Sequence, residues 1–462
     1  MRRILMLSSS WGSEYTKTII NGIIERLKEE EDGYEFHIFN AYDDWQNYDY
    51  YAKDNEIYQL PNPEDYDGLI LAFNSVVALE KIDAVADYFF KHDKPVVSID
   101  KNYEGATFCG LDNYRSMYRI VDHMITIHDC RTLNYVGGPE NHEENRERYR
   151  AYCDCLKAHG ITLDPKRVVH KGFMFEDGEN AYKEFKEYDY HMPDAVICAN
   201  DKMAIKYTEA AIRDGILVPD YLKITGFDET AAASAHSPSI TSVDRNWKQL
   251  GKDSADTLLA EIDGAQKGIP RYTEGSICYN ESCGCELSRD IVSDYNQLII
   301  SNNVQGELGA LQMHVRQRLL NCHCYKDFEI GLKESREALG FSDIAVCVDG
   351  KFESEGLIPN NEGYSDEFDM FTETDKIRIN KKEQLYPVSW KEKGEKTFMF
   401  SPLHFSNSTI GYSVMPYRSD FVSRVKLRTL TEGLSIALGS IIMRRNVTAL
   451  KKALEESKTN QL

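Results

Sequence analysis

Basic charge is in short supply in this sequence. Its 462 residues hold 54 Lys and Arg against 75 Asp and Glu, a net charge of −21. A chain so acidic repels phosphate backbones and anionic lipid, and no Lys/Arg-rich run offsets the deficit, so direct nucleic-acid binding is not expected of it. Long hydrophobic runs are also missing, since none approaches the roughly 18 apolar residues of a membrane span. The start, Met1-Arg2-Arg3-Ile4-Leu5-Met6-Leu7, has too short an apolar part for an export signal, which needs roughly 7–15 such residues. The expected location is the cytoplasm, away from membranes. Catalytic signatures are absent as well: there is no Gly-x-Ser-x-Gly, no phosphate-cradling Gly-x-x-x-x-Gly-Lys and no His-Glu-x-x-His. Paired acids such as Asp43/Asp44 and the cluster Glu29 to Asp32 read as solvated faces. No catalytic residue, metal ligand or cofactor is therefore assigned.

Eleven cysteines, an odd and scattered number, do not frame a disulfide scaffold. Cys153/Cys155, Cys283/Cys285 and Cys322/Cys324 form tight pairs with one residue between them. None meets a second cluster at the usual zinc-site spacing, so packed, reduced thiols are expected, with Cys322-His323-Cys324 the one competing metal reading. What the sequence does have is ample core material: 42% of its residues are hydrophobic. Its length suits about three domain-sized units.

Residues 1–285 alternate apolar strands with amphipathic helices, the pattern of a parallel sheet covered on both faces. Strands are expected at Arg3–Leu7, Phe36–Phe39, Asp67–Phe73, Pro95–Asp100, Leu133–Gly137, Ala195–Ala199 and Leu222–Phe227. Helix-length segments such as Ser116 to Ile127 and Arg146 to His159 lie between them, which forces parallel pairing by crossover. After Cys285 the texture changes. One long helix is expected over 288–325, an α+β region over 326–420, and a final helix over 421–462. The α+β region should hold a helix at Phe328–Leu339, a strand at Ile344–Val348, an acidic loop near 353–375 and a hairpin across Ser406-Asn407-Ser408. The last helix carries Leu427, Leu430, Leu434, Leu438, Ile441, Leu450 and Leu454, an apolar seam that suits a coiled coil or a partner helix.

Several motifs of residues 3–285, in order, resemble the effector-binding domain of LacI/GalR-family regulators. These are Asp67-Gly68-Leu69-Ile70, Leu111-Asp112-Asn113-Tyr114, Val136-Gly137-Gly138-Pro139, Arg148-Tyr149-Arg150-Ala151-Tyr152, Ala199-Asn200-Asp201-Lys202, Gly226-Phe227-Asp228-Glu229 and Glu281-Ser282-Cys283-Gly284. The resemblance implies an α/β type I periplasmic-binding-protein fold of two Rossmann-like lobes over 1–287. Lobe one would take about 1–110 and 243–270, lobe two about 111–240 and 271–285. The family's helix-turn-helix has no counterpart before Arg3, and some 175 residues follow the point where a family member would stop. The expected whole is a sensor without the DNA reader.

In that fold a small polar ligand lies between the lobes, at the carboxyl ends of the strands. The resemblance assigns it Arg148, Asn200, Asp228 and Arg245 from strand-following positions. Three of them have a plainer alternative: Arg148 a solvated helix arginine, Asn200 a helix N-cap that can coexist with the ligand role, Asp228 a turn residue. Aromatic and polar contacts are expected from Trp11, Tyr15, Phe73, Asn74 and Trp247, with Trp247 equally suited to anchor a core. Asp100 and Asp112 read as lobe-connecting or turn residues. Residues 326–420 loosely resemble a GAF-like domain around Phe400-Ser401-Pro402-Leu403-His404-Phe405, with His404 structural. The layout is similar to the sensory half of bacterial signalling proteins whose output is a diguanylate cyclase or a transcriptional module. The function expected is a homodimeric sensor of a sugar-like or nucleoside-like effector. The alternatives are a sugar- or nucleoside-processing enzyme and a pure interaction protein.

Overall fold

The computed structural model describes residues 1–9, 14–41, 49–73, 79–188, 191–286, 309, 311–341, 343–354, 363–372, 375–405, 408–418 and 424–459. The chain begins β1 (Arg2–Ser9), α1 (Glu14–Leu27), β2 (Tyr34–Ala41), β3 (Gly68–Ala72), α2 (Leu79–Lys91), β4 (Val96–Ile99) and β5 (Thr107–Leu111). Next come α3 (Asn113–Thr126), β6 (Leu133–Gly137), α4 (Glu143–Ala158), β7 (Val168–His170), α5 (Phe175–Glu187), β8 (Ala195–Cys198), α6 (Asp201–Arg213) and β9 (Lys223–Thr225). They are followed by α7 (Ala231–Ser234), β10 (Ser242–Asp244), α8 (Trp247–Ile262), β11 (Arg271–Thr273) and β12 (Ser276–Cys278). After a helical stretch α9 (311–320) the chain adds α10 (Tyr325–Leu339), β13 (Ala345–Asp349), α11 (Lys351–Ser354), β14 (Glu367–Phe371) and β15 (Lys376–Asn380). It closes with α12 (Val388–Glu392), β16 (Thr397–Phe405), β17 (Ser408–Pro416) and α13 (Arg424–Thr459). Two compact units result: Met1–Gly110 with Trp247–Arg271 and Gly306–Leu462, and Leu111–Asn246 with Tyr272–Gln305.

The first unit holds ten strands of one sheet in the order β5-β4-β3-β1-β2-β16-β17-β13-β14-β15. From β5 to β16 the pairs are parallel, and from β16 onward they are antiparallel. The strands expected to build a separate domain over 326–420 therefore continue the sheet begun at the N-terminus. The physical reason lies in β2. All eight of its residues are buried, so its outer edge cannot be left to water and must be paired. β16 does this in the register Thr397↔Phe36 to Phe400↔Phe39, and the Phe39 and Phe400 rings stack at 4.3 Å. Part of the expected acidic loop is in fact β14. There Phe368 and Met370 alternate into the core while Asp369 and Glu367 pair with Arg378. In α9, Val315 and Leu319 enter the same core as Leu427, Leu430 and Leu434 of α13. Residues 288–308 of the expected connecting helix lie outside the described residues.

The second unit is built on the parallel sheet β7-β6-β8-β9, with a small antiparallel pair of β10 and β12. Its core runs from Leu111 and Met117 through Tyr135, Tyr152 and Ile197 to Ile224, Val243 and Cys283. Glycine sets how closely helices approach in both units. A Cβ at Gly178 of α5 would lie 2.1 Å from the Met203 carbonyl oxygen of α6, and one at Gly251 of α8 would lie 2.2 Å from the Ile19 carbonyl oxygen of α1. Ala is ordinarily favoured over Gly within a helix by about 1 kcal/mol. Here the obstacle is backbone, which cannot swing aside, so Gly178→Ala is expected to lower stability by about 1–3 kcal/mol. Urea denaturation checks it: an unchanged or raised midpoint would refute the close-approach reading.

Candidate functional site

Three of the residues expected to grip a ligand meet in the second unit. The first turn of α4 carries Glu143 and Glu144, where carboxylates suit the positive end of a helix. Arg148 follows Glu144 at i+4, on the same face. It is 1% exposed, which overturns the solvated alternative, and each nitrogen is engaged. Nε donates to Asn113 Oδ1 at 2.8 Å, Nη1 to the Ala199 carbonyl at 2.7 Å, and Nη2 to Glu144 Oε2 at 3.1 Å. The guanidinium also lies over the Phe227 ring, 3.8 Å from its centroid.

Arg245 reaches the same carboxylate from beyond β10. Its Nη2 lies 2.5 Å from Glu144 Oε1 and its Nη1 3.3 Å from Oε2. Asp228 completes the group, with Oδ1 3.5 Å from Arg245 Nη1 and 4.0 Å from Arg148 Nη2. That oxygen is buried and makes no hydrogen bond. Its backbone sits at φ +107°, a region L-residues rarely occupy and one that stores strain at sites of function.

The two carboxyls respond to this setting in opposite directions. Burial opposes ionisation of Glu144, but the charges of Arg245 and Arg148 outweigh it and bring the carboxyl down to about 2. For Asp228 burial prevails over the same two arginines, and the carboxyl is pushed above its ordinary value. Burial also lowers His142, just before α4, whose Nδ1 is buried without a partner. The group thus combines fixed donors with an acceptor that is ion-paired but not hydrogen-bonded.

Asn200 adopts its alternative role. Its Oδ1 accepts from the Met203 N–H at 3.0 Å as the N-cap of α6, and its amide donates to the Phe173 carbonyl at 3.0 Å. Each end of the side chain thus makes one hydrogen bond within the second unit. Asp112 likewise caps α3. In the first unit Tyr15 and Trp247 come together edge to face at 5.5 Å. The Tyr15 hydroxyl donates to Asp100 at 2.9 Å, and the Trp247 Nε1 is buried without a hydrogen-bond partner. Phe73, expected to face a ligand, is a core residue packed against Tyr58 at 5.8 Å. Trp11 and Asn74 lie outside the described residues. His404 pairs with Asp54 at 3.0 Å, both buried. Cys322 donates to the Arg318 and Asp327 carbonyls while Cys324 is exposed, so that segment does not gather ligands.

Sequence reasoning missed Glu144, Asn113 and His142. The i, i+4 spacing of Glu144 and Arg148 was a usable signal; the other two had none beyond their place beside the quoted motifs.

This arrangement defines a mixed α/β protein with a type I periplasmic-binding-protein-like domain. A family model described as a periplasmic binding protein-like domain matches residues 121–283. The chain is similar to the HTH-type transcriptional regulator DegA of Bacillus subtilis, 26% identical over 223 residues, 46% of this chain and 63% of that protein. It is also similar to the HTH-type transcriptional repressor CytR of Escherichia coli, 27% identical over 158 residues, 34% of this chain and 46% of that one. It therefore spans less than two thirds of either relative. A solved regulatory protein of the LacI family from Chloroflexus aggregans matches with a TM-score of 0.50 at 19% identity, over 60% of this chain and 98% of its own; that likeness speaks for the fold. Because the curated relatives are HTH-type regulators, the expectation that this chain avoids nucleic acid draws no support from them. Among the described residues no helix is long and apolar enough to cross a membrane.

Proposed function

We propose that this chain is a small-molecule sensor of a regulatory system, binding a polyhydroxylated effector, sugar-like or nucleoside-like, at Arg148, Asp228, Arg245 and Glu144. The observation that carries this reading is the buried Oδ1 of Asp228, which lies at ion-pair distance from two arginines but makes no hydrogen bond. Leaving a buried acceptor without a hydrogen bond costs about 1–3 kcal/mol. An effector hydroxyl donating to it would remove that cost, while its neighbouring oxygens accept from the arginines. Similarity to transcriptional regulators rather than to enzymes favours a sensor.

The output would pass through α13. Leu427, Leu430, Leu434, Leu438 and Ile441 are buried in the first unit's own core. Further on, Met443, Val447, Leu450 and Leu454 are 48%, 51%, 70% and 58% exposed, at the 4-3-4 spacing of a coiled-coil seam. A second copy of this helix is the partner that such a seam fits, which makes the sensor a homodimer; the output module itself is a diguanylate cyclase or a transcriptional regulator.

The test is a thermal-shift screen of the full chain against sugars, sugar phosphates and nucleosides. A cognate effector at about 100 times its dissociation constant should stabilise the wild type by about 2.7 kcal/mol. Asp228→Asn and Arg245→Gln should abolish the shift. An undiminished shift in both variants, or turnover of the stabilising compound, would overturn the assignment.

A further inference from the structure

Four soft donor side chains converge in the second unit, away from the Arg148 group. His123 lies in the last turn of α3, and His128 just beyond it. Cys283 and Cys285 come from the chain after β12, on either side of Gly284, whose φ of +91° turns the backbone so that both thiols face the histidines. His128 Nε2 is 3.1 Å from His123 Nε2. Cys285 Sγ is 3.5 Å from His123 Nε2 and 3.4 Å from His128 Nε2, and Cys283 Sγ is 3.9 Å from His123 Nε2. All four donor atoms lie within 4.8 Å of one another.

These separations match the edges of a coordination tetrahedron. Zinc bonds of about 2.0–2.1 Å to nitrogen and about 2.3 Å to sulfur give edges of about 3.3 Å between nitrogens and about 3.6 Å between nitrogen and sulfur. Cys283 is fully buried and His123 nearly so, while His128 and Cys285 are partly open to solvent, which gives an ion a way in. Each imidazole also turns its Nε2 toward the two thiols, so all four donor atoms face a common centre. We propose that His123, His128, Cys283 and Cys285 form a structural site for one zinc ion.

On binding, the two thiols lose their protons to solvent, and four bonds form: two from thiolate sulfur and two from neutral Nε2 atoms, with the imidazole protons on Nδ1. Two thiolates balance the divalent charge, so the closed site is neutral and tolerates burial. The ion would tie the end of α3 to the segment after β12, two stretches of the second unit otherwise joined through packing. The His123–His128 and Cys283–Cys285 pairs lie far apart in the sequence, so no local zinc motif announces them.

The untagged full chain, purified without chelator, should hold about one equivalent of zinc. Cobalt in its place should give the thiolate charge-transfer band and intense visible bands of a tetrahedral Cys/His site. Cys285→Ser and His128→Gln should lose both, while Cys322→Ser should keep both. Alkylation of the folded chain should modify Cys285 only after chelation. A chelator should lower the melting midpoint of the wild type and leave Cys285→Ser unchanged, which separates metal loss from misfolding. The proposal falls if the wild type retains no zinc and gives no cobalt spectrum, if Cys285→Ser binds as the wild type does, or if mass analysis finds Cys283 and Cys285 joined as a disulfide.

Discussion

Arg148→Met should destabilise the second unit by about 3–5 kcal/mol, the usual cost of removing one partner from a buried charge group. Methionine fills a similar volume, so packing over Phe227 is largely kept and the loss is mainly electrostatic. Without the guanidinium, Asn113 Oδ1 and the Ala199 carbonyl lose their donor, and Arg245 alone faces both Glu144 and Asp228. Chemical denaturation with a probe in the second unit measures the effect. The double variant Arg148→Met/Glu144→Gln should recover part of it, because the stranded carboxylate is then neutral. A loss under about 1 kcal/mol, the scale of an exposed pair, would mean that the group is far more hydrated than its burial implies.

Glu35→Gln should weaken the first unit by about 2 kcal/mol at neutral pH, the scale of buried hydrogen bonds to a charged group. Glu35 on β2 is 1% exposed. It accepts from Arg3 Nε at 2.7 Å and from Tyr386, and Lys391 Nζ lies 2.8 Å away. Burial opposes its charge, but the His37 ring 3.8 Å away and the contacts from Lys391 and Tyr386 outweigh that and hold the carboxyl well below the usual range. A lowered pKa means that the ionised form is favoured in the folded state, so its contribution is complete above the unfolded value of about 4.3. It fades as the pH falls toward the folded value. The gap between wild type and Glu35→Gln should therefore be steady from pH 7 to about 5 and shrink below about 4. A gap of equal size at pH 7 and pH 3.5 would assign the effect to packing instead.

How much could be read beforehand depended on the range of the interactions. The strands of 1–285 were legible because each is a short apolar run with a helix-length crossover after it. Arg148, Asp228 and Arg245 were legible through ordered motifs, and they do meet. Asn200 stands where the motif put it, and its oxygen caps α6 as the alternative reading had it, while its amide donates to the Phe173 carbonyl. Phe73 looked available because it follows a strand, yet an aromatic there is equally able to turn into the core beside Tyr58. The pairing of Phe39 with Phe400 carries no local signal, since an edge strand in need of a partner reads the same as an interior one. For the same reason the four converging thiol and imidazole groups went unseen, each pair being unremarkable until the fold superimposed them.

The junction of β2 with β16 has a consequence for what counts as a part of this molecule. The stretch that resembles other regulators and the stretch appended to it are not beads on a string, because neither completes a sheet without the other. A gene cut at the boundary of the resemblance would divide a single folding unit and bare two strand edges at once. At this junction the earlier and later portions of the first unit are bound edge to edge by backbone hydrogen bonds, so a displacement of one strand is passed directly to the other.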